Sequence, residues 1–410
     1  MKIFDAACEA LRRLRDAGHE TWLVGGSVRD HLMGTPIEEI GEFDIATAAL
    51  PAQVEAVFKR SFAVGRAFGV VRVAVDRHWM EVATFRTEAD YRDGRHPEEV
   101  RFATSEEDVQ RRDFTVNGLL WNPHDDEIVD HVGGRDDVRQ RRIRAIGDAD
   151  ERFREDALRL IRAVRFGSWL DFHLDEQTQA AVRRQAAGLT AISAERIRDE
   201  LLKITTRPSS RRGDAWGLLV STGLAKHVVG ITPDESSVLE DAPVLDALRH
   251  RHLELWLAVV LRRAEEDGAP PARWRRVAES VARRLRCSTE EGERLAALLA
   301  GRARYRRLTP DRPIRLRLAA TREDHQVHED LLNAEGDADQ ILDILARDRA
   351  ARGDQRPEPL LDGRQLMAAG VAPGPRLGWL LRKVRARQLA GDLTSSADAL
   401  SWLGLEPAAS

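Results

Sequence analysis

The chain has 410 residues, 42% of them hydrophobic and 32% charged, and a formal net charge of −4. That length calls for two or more domains, and that balance describes a globular protein without a uniformly basic coat. Apolar runs stay far below the ~18–20 residues of a membrane span, the N-terminus carries no signal-peptide pattern, and Cys8 and Cys287 are too few for a disulfide framework or a structural zinc site. A reducing cytoplasm is the expected compartment.

Residues 3–17 place Phe4, Ala7, Leu11 and Leu14 at helical spacing and stop at Gly18. Trp22-Leu23-Val24 then reads as a strand that ends at Gly25-Gly26-Ser27, followed at once by helix-like Val28-Arg29-Asp30-His31. A strand feeding a glycine corner and a helix N-terminus is a place for phosphate. Glu42 and Asp44 stand two apart in what reads as a second strand, where period two projects both carboxylates from one face. Paired acids repel unless a divalent cation sits between them. Pro51 opens a further helix, and Phe62–Phe85 reads as β structure with a turn at Asp76-Arg77-His78. Glu81 lies on the last of these strands, with Trp79 and Ala83 on its side. As a neighbour of the Glu42/Asp44 strand it makes a third acid, and three acids holding two ions ~3.5–4 Å apart would clamp an in-line phosphoryl or nucleotidyl displacement. Taken singly, a GG corner is most often only a turn and an acidic pair only a solvated one. Their order and closeness point to metal-assisted chemistry on a nucleoside triphosphate.

Residues 86–99 lack apolar periodicity and read as a polar loop. Arg111-Arg112-Asp113-Phe114-Thr115-Val116-Asn117 returns to order, with cations and an acid suited to a triphosphate and a ribose hydroxyl. Gly133-Gly134 reads as a hinge, after which the pattern is almost wholly helical. One helix is expected over 152–170, with Asp156, Arg159, Arg162 and Arg165 recurring every three residues as a polar ridge. A carboxylate acceptor and a guanidinium donor one turn apart are what reading a base edge requires. Ser193 is expected to open another helix, Pro208 to break the pattern, and 354–359 to be a linker. Between Arg262 and Arg322 stand 17 Arg, eight acids and no Lys, an excess of nine positive charges that suggests a polyanion-binding surface.

In this order LVGGSVRD, EFD, MEVATFR, RRDFTVNG and EDALRLIRAVRF resemble the class II tRNA nucleotidyltransferase/poly(A) polymerase family over residues 20–205. The ending LLDGRQLMAAGVAPGPRLGWLL resembles the tail of its CCA-adding members. The resemblance implies an α+β fold: a polymerase-β-like catalytic head (1–138), a helical neck with a nucleotide-selecting helix (139–208), and an RNA-binding body (209–355) and tail (356–410). It implies stepwise addition of CMP, CMP and AMP to tRNA 3′ ends from CTP and ATP, with Mg²⁺ and no nucleic-acid template. A monomer is the expected state. Carried over by position, Glu42 and Asp44 would hold the metals and Glu81 would be the third acid. Gly26 and Arg29, flanked by Gly25, Ser27 and Asp30, would contact the triphosphate. Arg112, with Asp113 and Asn117, would meet phosphate and ribose. Asp156 and Arg159 would pair with the incoming base, with Arg162 and Arg165 positioning the nucleotide. The stretch 86–97 would be the loop that switches CTP to ATP, and Ser193–Glu200 would buttress the selecting helix.

Three departures stand out: Glu42 where most members have Asp, a longer spacer from Gly34 to Glu42, and Gly118 in place of a common Ala. The histidine-aspartate hydrolase domain of some relatives has no matching motif. The alternatives are an A-adding-only, CC-adding-only or poly(A) polymerase relative, and a non-catalytic RNA-binding relative. The full-length 86–97 stretch argues against CC-only, the acidic net charge and the tail against poly(A) polymerase, and Asp44, Arg112, Asp156 and Arg159 against a non-catalytic protein.

Overall fold

A computed structural model of the chain describes residues 1–65, 69–91, 97–208, 211–264, 269–309, 311, 313–320, 325–336, 338–353 and 356–405. The chain opens with α1 (Ile3–Asp16), β1 (Thr21–Val24), α2 (Gly26–Leu32), β2 (Asp44–Thr47), α3 (Pro51–Val57), β3 (Ser61–Gly65), β4 (Val70–Val75) and β5 (His78–Thr84). Next come β6 (Arg86–Tyr91), β7 (Pro97–Phe102), α4 (Ser105–Gln110), β8 (Leu119–Asn122), β9 (Glu127–Asp130) and α5 (Gly134–Arg139). Among the described residues seven strands form one sheet in the order β3-β4-β5-β2-β1-β8-β9. β2 and β5 run parallel and the other pairs antiparallel. β1 buries all four of its residues, and α1 lays Ala7, Leu11 and Leu14 into the same N-terminal unit. Each fully buried leucine there is worth ~1.5–3 kcal/mol.

The segment read as a loop at 86–99 is in part a ribbon, with β6 and β7 paired from Arg86↔Phe102 to Tyr91↔Pro97. Main-chain hydrogen bonds hold such a ribbon and leave no apolar signature; residues 92–96 lie outside the described residues. The hinge expected at Gly133-Gly134 is a capped helix start instead. The Asp130 carboxylate accepts the amides of Val132, Gly133, Gly134 and Arg135 at 2.9–3.1 Å. Gly118 has a packing reason. A Cβ there would stand 2.9 Å from Val132, 3.1 Å from Val109 and 3.2 Å from Ile146.

Beyond α5 follow β10 (Arg142–Ile143), α6 (Ala149–Glu155), α7 (Leu158–Leu170), β11 (His173–Leu174), α8 (Glu176–Gln185), α9 (Ala194–Thr206), α10 (Arg212–Ser221) and α11 (Leu224–Val228). β10 and β11 pair in parallel, so this region is not purely helical. The single helix expected over 152–170 is two. Asp156 takes extended backbone (φ −142°, ψ 102°), and its Oδ1 accepts the Leu158 amide at 3.0 Å, opening α7 anew.

The remainder is helical: α12 (Glu235–Ala247), α13 (Leu253–Val260), α14 (Pro271–Arg284), α15 (Thr289–Tyr305), α16 (Pro313–Ala320), α17 (His325–Glu335), α18 (Asp339–Arg352), α19 (Gly363–Ala368), α20 (Pro375–Ala390) and α21 (Ser396–Trp402). The chain divides into two compact units, 1–242 with 283–286, and 243–282 with 287–410. In the second, Tyr305, Leu316, Leu332 and Leu345 centre one core and Leu366, Leu380, Val384 and Leu400 another. Among the described residues no helix is long and apolar enough to cross a membrane.

Candidate active site

The end of β1 and the start of β2 lie side by side, with Val24 opposite Asp44. Gly25 follows with φ +74°, a conformation other residues adopt only under strain. A Cβ at Gly25 would lie 3.8 Å from both Asp44 Oδ2 and Arg112 Nη1. Corner, acid and guanidinium are therefore one site. Arg112 is held there by Asp108, which accepts from its Nη2 at 3.0 Å and from Arg111 Nη2 at 2.7 Å. Asp108 is 1% exposed, and sequence reading passes over it. Its place on α4, three and four residues before the two arginines that follow the helix, is the signal that could have found it.

Glu42 sits just before β2 rather than within it, so the two acids are not alternate residues of one strand. Burial, then the charges of Glu42 and Glu81, pushes the Asp44 carboxyl up to about 6, with Arg112 opposing. Among the described residues no three His, Cys, Asp or Glu side chains are close enough to hold a metal ion as they stand. Glu42 and Glu81 act on Asp44 through their fields. A carboxylate crowded by two more acids and offset by one guanidinium suits a hard divalent cation on oxygen donors.

The corner's own side chains turn inward. Ser27 Oγ donates to the Val24 carbonyl at 3.2 Å. Arg29 is 2% exposed, donates to Asp30 at 2.7 Å and to Asn117 at 2.7 Å, and lies 5.6 Å from the Phe166 ring centroid. Asp113 accepts from Arg162 Nη2 at 2.5 Å, from Asn117 at 3.1 Å and from the Phe114 amide at 2.8 Å. Asp113 and Asn117 thus brace Arg162 and Arg29.

The ridge expected on the selecting helix is not a solvated stripe. Arg159 and Arg165 are buried. Arg159 donates to Glu155 at 2.7 Å and to the carbonyls of Arg152 and Arg111 at 3.0 and 2.8 Å. Arg165 pairs with Glu200 at 2.5 Å, and Asp156 accepts from Arg196 at 3.0 Å. Arg196 and Glu200, both on α9, therefore fall in the segment expected to buttress α7. Sequence reading singles out neither, because their partners stand 40 and 35 residues away.

Burial alone would raise the Asp113 carboxyl, but the Arg162 charge and the bonds from Asn117 and Arg162 outweigh it and hold it at about 2, below the usual 3.8. The folded value lies below the unfolded one. The carboxylate therefore stabilises the fold fully above the unfolded value, and the contribution is lost as pH falls through the folded value. The stability gap between the wild type and Asp113→Asn is expected to narrow by about 2 kcal/mol between roughly pH 5 and pH 2. Urea unfolding at the two pH values measures it, and a gap independent of pH would count against the pairing.

The arginine-rich segment is partly engaged inside its own unit. Glu335, 2% exposed at its side chain, takes Arg302 at 2.6 Å and Arg306 at 2.8 Å. Arg317 is buried against Asp348 at 3.1 Å.

This arrangement defines a nucleotidyltransferase head of the poly(A) polymerase type followed by helices. The profile of the Poly A polymerase head domain matches residues 21–144, and that of the probable RNA and SrmB-binding site of polymerase A matches 171–234. The chain is 32% identical over 403 residues to the CCA-adding enzyme of Lactobacillus gasseri, covering 98% of this chain and 96% of that one. The CCA-adding enzyme of Bacillus cytotoxicus is 42% identical over 257 residues, 62% of this chain and 63% of that one. The crystal structure of the Bacillus stearothermophilus CCA-adding enzyme in complex with CTP is 30% identical, with TM-score 0.75 and 98% of both chains covered. The chain belongs to the tRNA nucleotidyltransferase/poly(A) polymerase family, among its CCA-adding enzymes.

Proposed function

We propose that the protein adds CMP, CMP and AMP in turn to the 3′ end of tRNA, taking the nucleotides from CTP and ATP. The observation that carries this is Asp44, set against the glycine corner and Arg112 and crowded by Glu42 and Glu81, in a chain similar to CCA-adding enzymes along nearly its whole length. Family membership implies dependence on a divalent metal, and the proposed ion is Mg²⁺, held by Glu42 and Asp44. When bound, it supplies Lewis acidity at the α-phosphate and charge neutralisation for departing pyrophosphate.

The chain's own groups do the rest. Glu81 faces the attacking 3′-hydroxyl. Arg112 and the Gly25-Gly26 corner seat the triphosphate, with Ser27 and Asp30 shaping the corner and Arg29 fixing it to α7. Asp113 and Asn117 hold Arg162 and Arg29 in register. Asp156 accepts from the amino group that cytosine and adenine both carry, and Arg159 donates to the adjoining ring acceptor. Arg162 and Arg165 keep α7 in place. The proposed division is a catalytic head at 1–138, a neck at 139–208, and an RNA-binding body and tail at 209–355 and 356–410, in a cytoplasmic monomer.

Purified protein with Mg²⁺ is expected to extend tRNA lacking its last three nucleotides by CC with CTP alone, and by CCA with both nucleotides. Sequencing of product ends checks this. AMP addition only to tRNA already ending in CC would point to an A-adding enzyme, and long A-tails on unstructured RNA to a poly(A) polymerase.

A further inference from the structure

The sheet row that carries the acids continues outward into an exposed patch. β3 pairs Phe62 with Arg72, and β4 pairs Arg72 with Glu81 and Ala74 with Trp79 across β5. Opposed residues share a face, and so do alternate residues of one strand. Phe62, Arg72, Glu81 and Trp79 therefore stand on one face of the sheet. β2 pairs Ile45 with Val82, and one further step of that register sets Asp44 beside Glu81.

Phe62 is 47% and Trp79 40% exposed, their ring centroids 5.1 Å apart, and Arg60 Cζ lies 5.7 Å from the Trp79 ring. β3 is an edge strand of the sheet. An exposed aromatic on an edge strand, here Phe62, is an aggregation liability, and with Trp79 of β5 beside it the patch calls for an occupant.

We propose that Trp79 and Phe62, flanked by Arg60 and Arg72, form the platform on which the single-stranded 3′ end of the tRNA stacks. This rests on the functional reading above. Aromatic faces accept any base, and flanking arginines meet the phosphates between bases. Trp79 stands two residues, about 7 Å, along β5 from Glu81, close enough for a base stacked there to belong to the last nucleotides of the strand being extended. Base-indifferent stacking also suits an acceptor whose terminal base changes with each addition. Charge and continuity with the acid row favour RNA over a second copy of this chain, whose docking is left as an outcome of the test.

The test is steady-state extension of tRNA lacking its last three nucleotides, first with tRNA varied and then with CTP varied. It uses Trp79→Ala, Phe62→Ala, the double variant and Trp79→Phe. In Trp79→Ala the KM for tRNA is expected to rise roughly 5- to 150-fold, the span of one lost base–aromatic stack, and the KM for CTP by less than about twofold. Trp79→Phe is expected to recover most of the loss. A tRNA KM within about twofold of wild type in the double variant overturns the platform. So does an equal rise in both KM values, the mark of a damaged head. Sedimentation showing that the wild type self-associates through this patch and the variants do not assigns it to a second copy and overturns it as well. Failure of the wild-type protein to extend tRNA would sink the functional reading itself. Wild-type extension with unmoved variants sinks the platform alone.

Discussion

Asp44→Ala is expected to remove nucleotidyl transfer from both CTP and ATP, by ~1,000-fold or more, without unfolding the head. Several kcal/mol of transition-state stabilisation from a bound cation, at 1.36 kcal/mol per decade of rate, sets that scale. The second half of the expectation follows from the same crowding. Burial and the charges of Glu42 and Glu81 push the Asp44 carboxyl up to about 6. A carboxyl whose folded value is raised is destabilising at neutral pH, where it must ionise against its neighbours. Its removal relieves that repulsion, so the thermal midpoint should hold or rise as activity vanishes. Single-turnover incorporation from labelled CTP and a thermal melt of the same preparation measure both. Activity within about tenfold of wild type, or a midpoint that falls sharply, would show that Asp44 serves structure rather than transfer.

Arg159→Ala and Asp156→Ala are expected to damage the choice between CTP and ATP more than the rate of transfer. A bidentate base contact is worth about 1–3 kcal/mol of discrimination, which is roughly 5- to 150-fold in misincorporation. Arg159 is well placed to be set in position: Glu155 and the carbonyls of Arg152 and Arg111 hold its guanidinium. Asp156 is fixed by the Leu158 amide and Arg196. Arg159→Lys keeps the charge but loses the planar fork, so it should discriminate poorly too. Sequencing product ends from mixed CTP and ATP reads the effect directly. Wild-type selection in both alanine variants would move base reading to other residues.

The strand–glycine corner–helix and the β4–β5 hairpin were legible because their punctuation is local: Gly25 at one, Asp76 at φ +56° in the other. Glu42 was misplaced because the alternation Glu42-Phe43-Asp44 looks the same inside a ladder as in the segment that leads into it. The break at Asp156 was hidden for a related reason. Apolar spacing runs on through it, and the interruption comes from a carboxylate that caps α7. The β6–β7 ribbon is made by backbone pairing that side-chain periodicity does not report. The burial and pairing of the α7 arginines did not show in their ridge spacing, because the residues that pair with Arg162 and Arg165 lie 49 and 35 positions away. Net charge over 262–322 overstated the free cations for the same cause, since Glu335 gathers Arg302 and Arg306 from outside that window.

Gly118, boxed in by Val132, Val109 and Ile146 at 2.9–3.2 Å from where a Cβ would be, forms one packing unit with those three side chains. Alanine, the residue the family resemblance leads one to expect there, would meet branched side chains with few rotamers to escape into. It becomes tolerable only after one of those three branched side chains is trimmed, so grafting segments between this protein and its relatives will succeed or fail according to whether all four positions travel together.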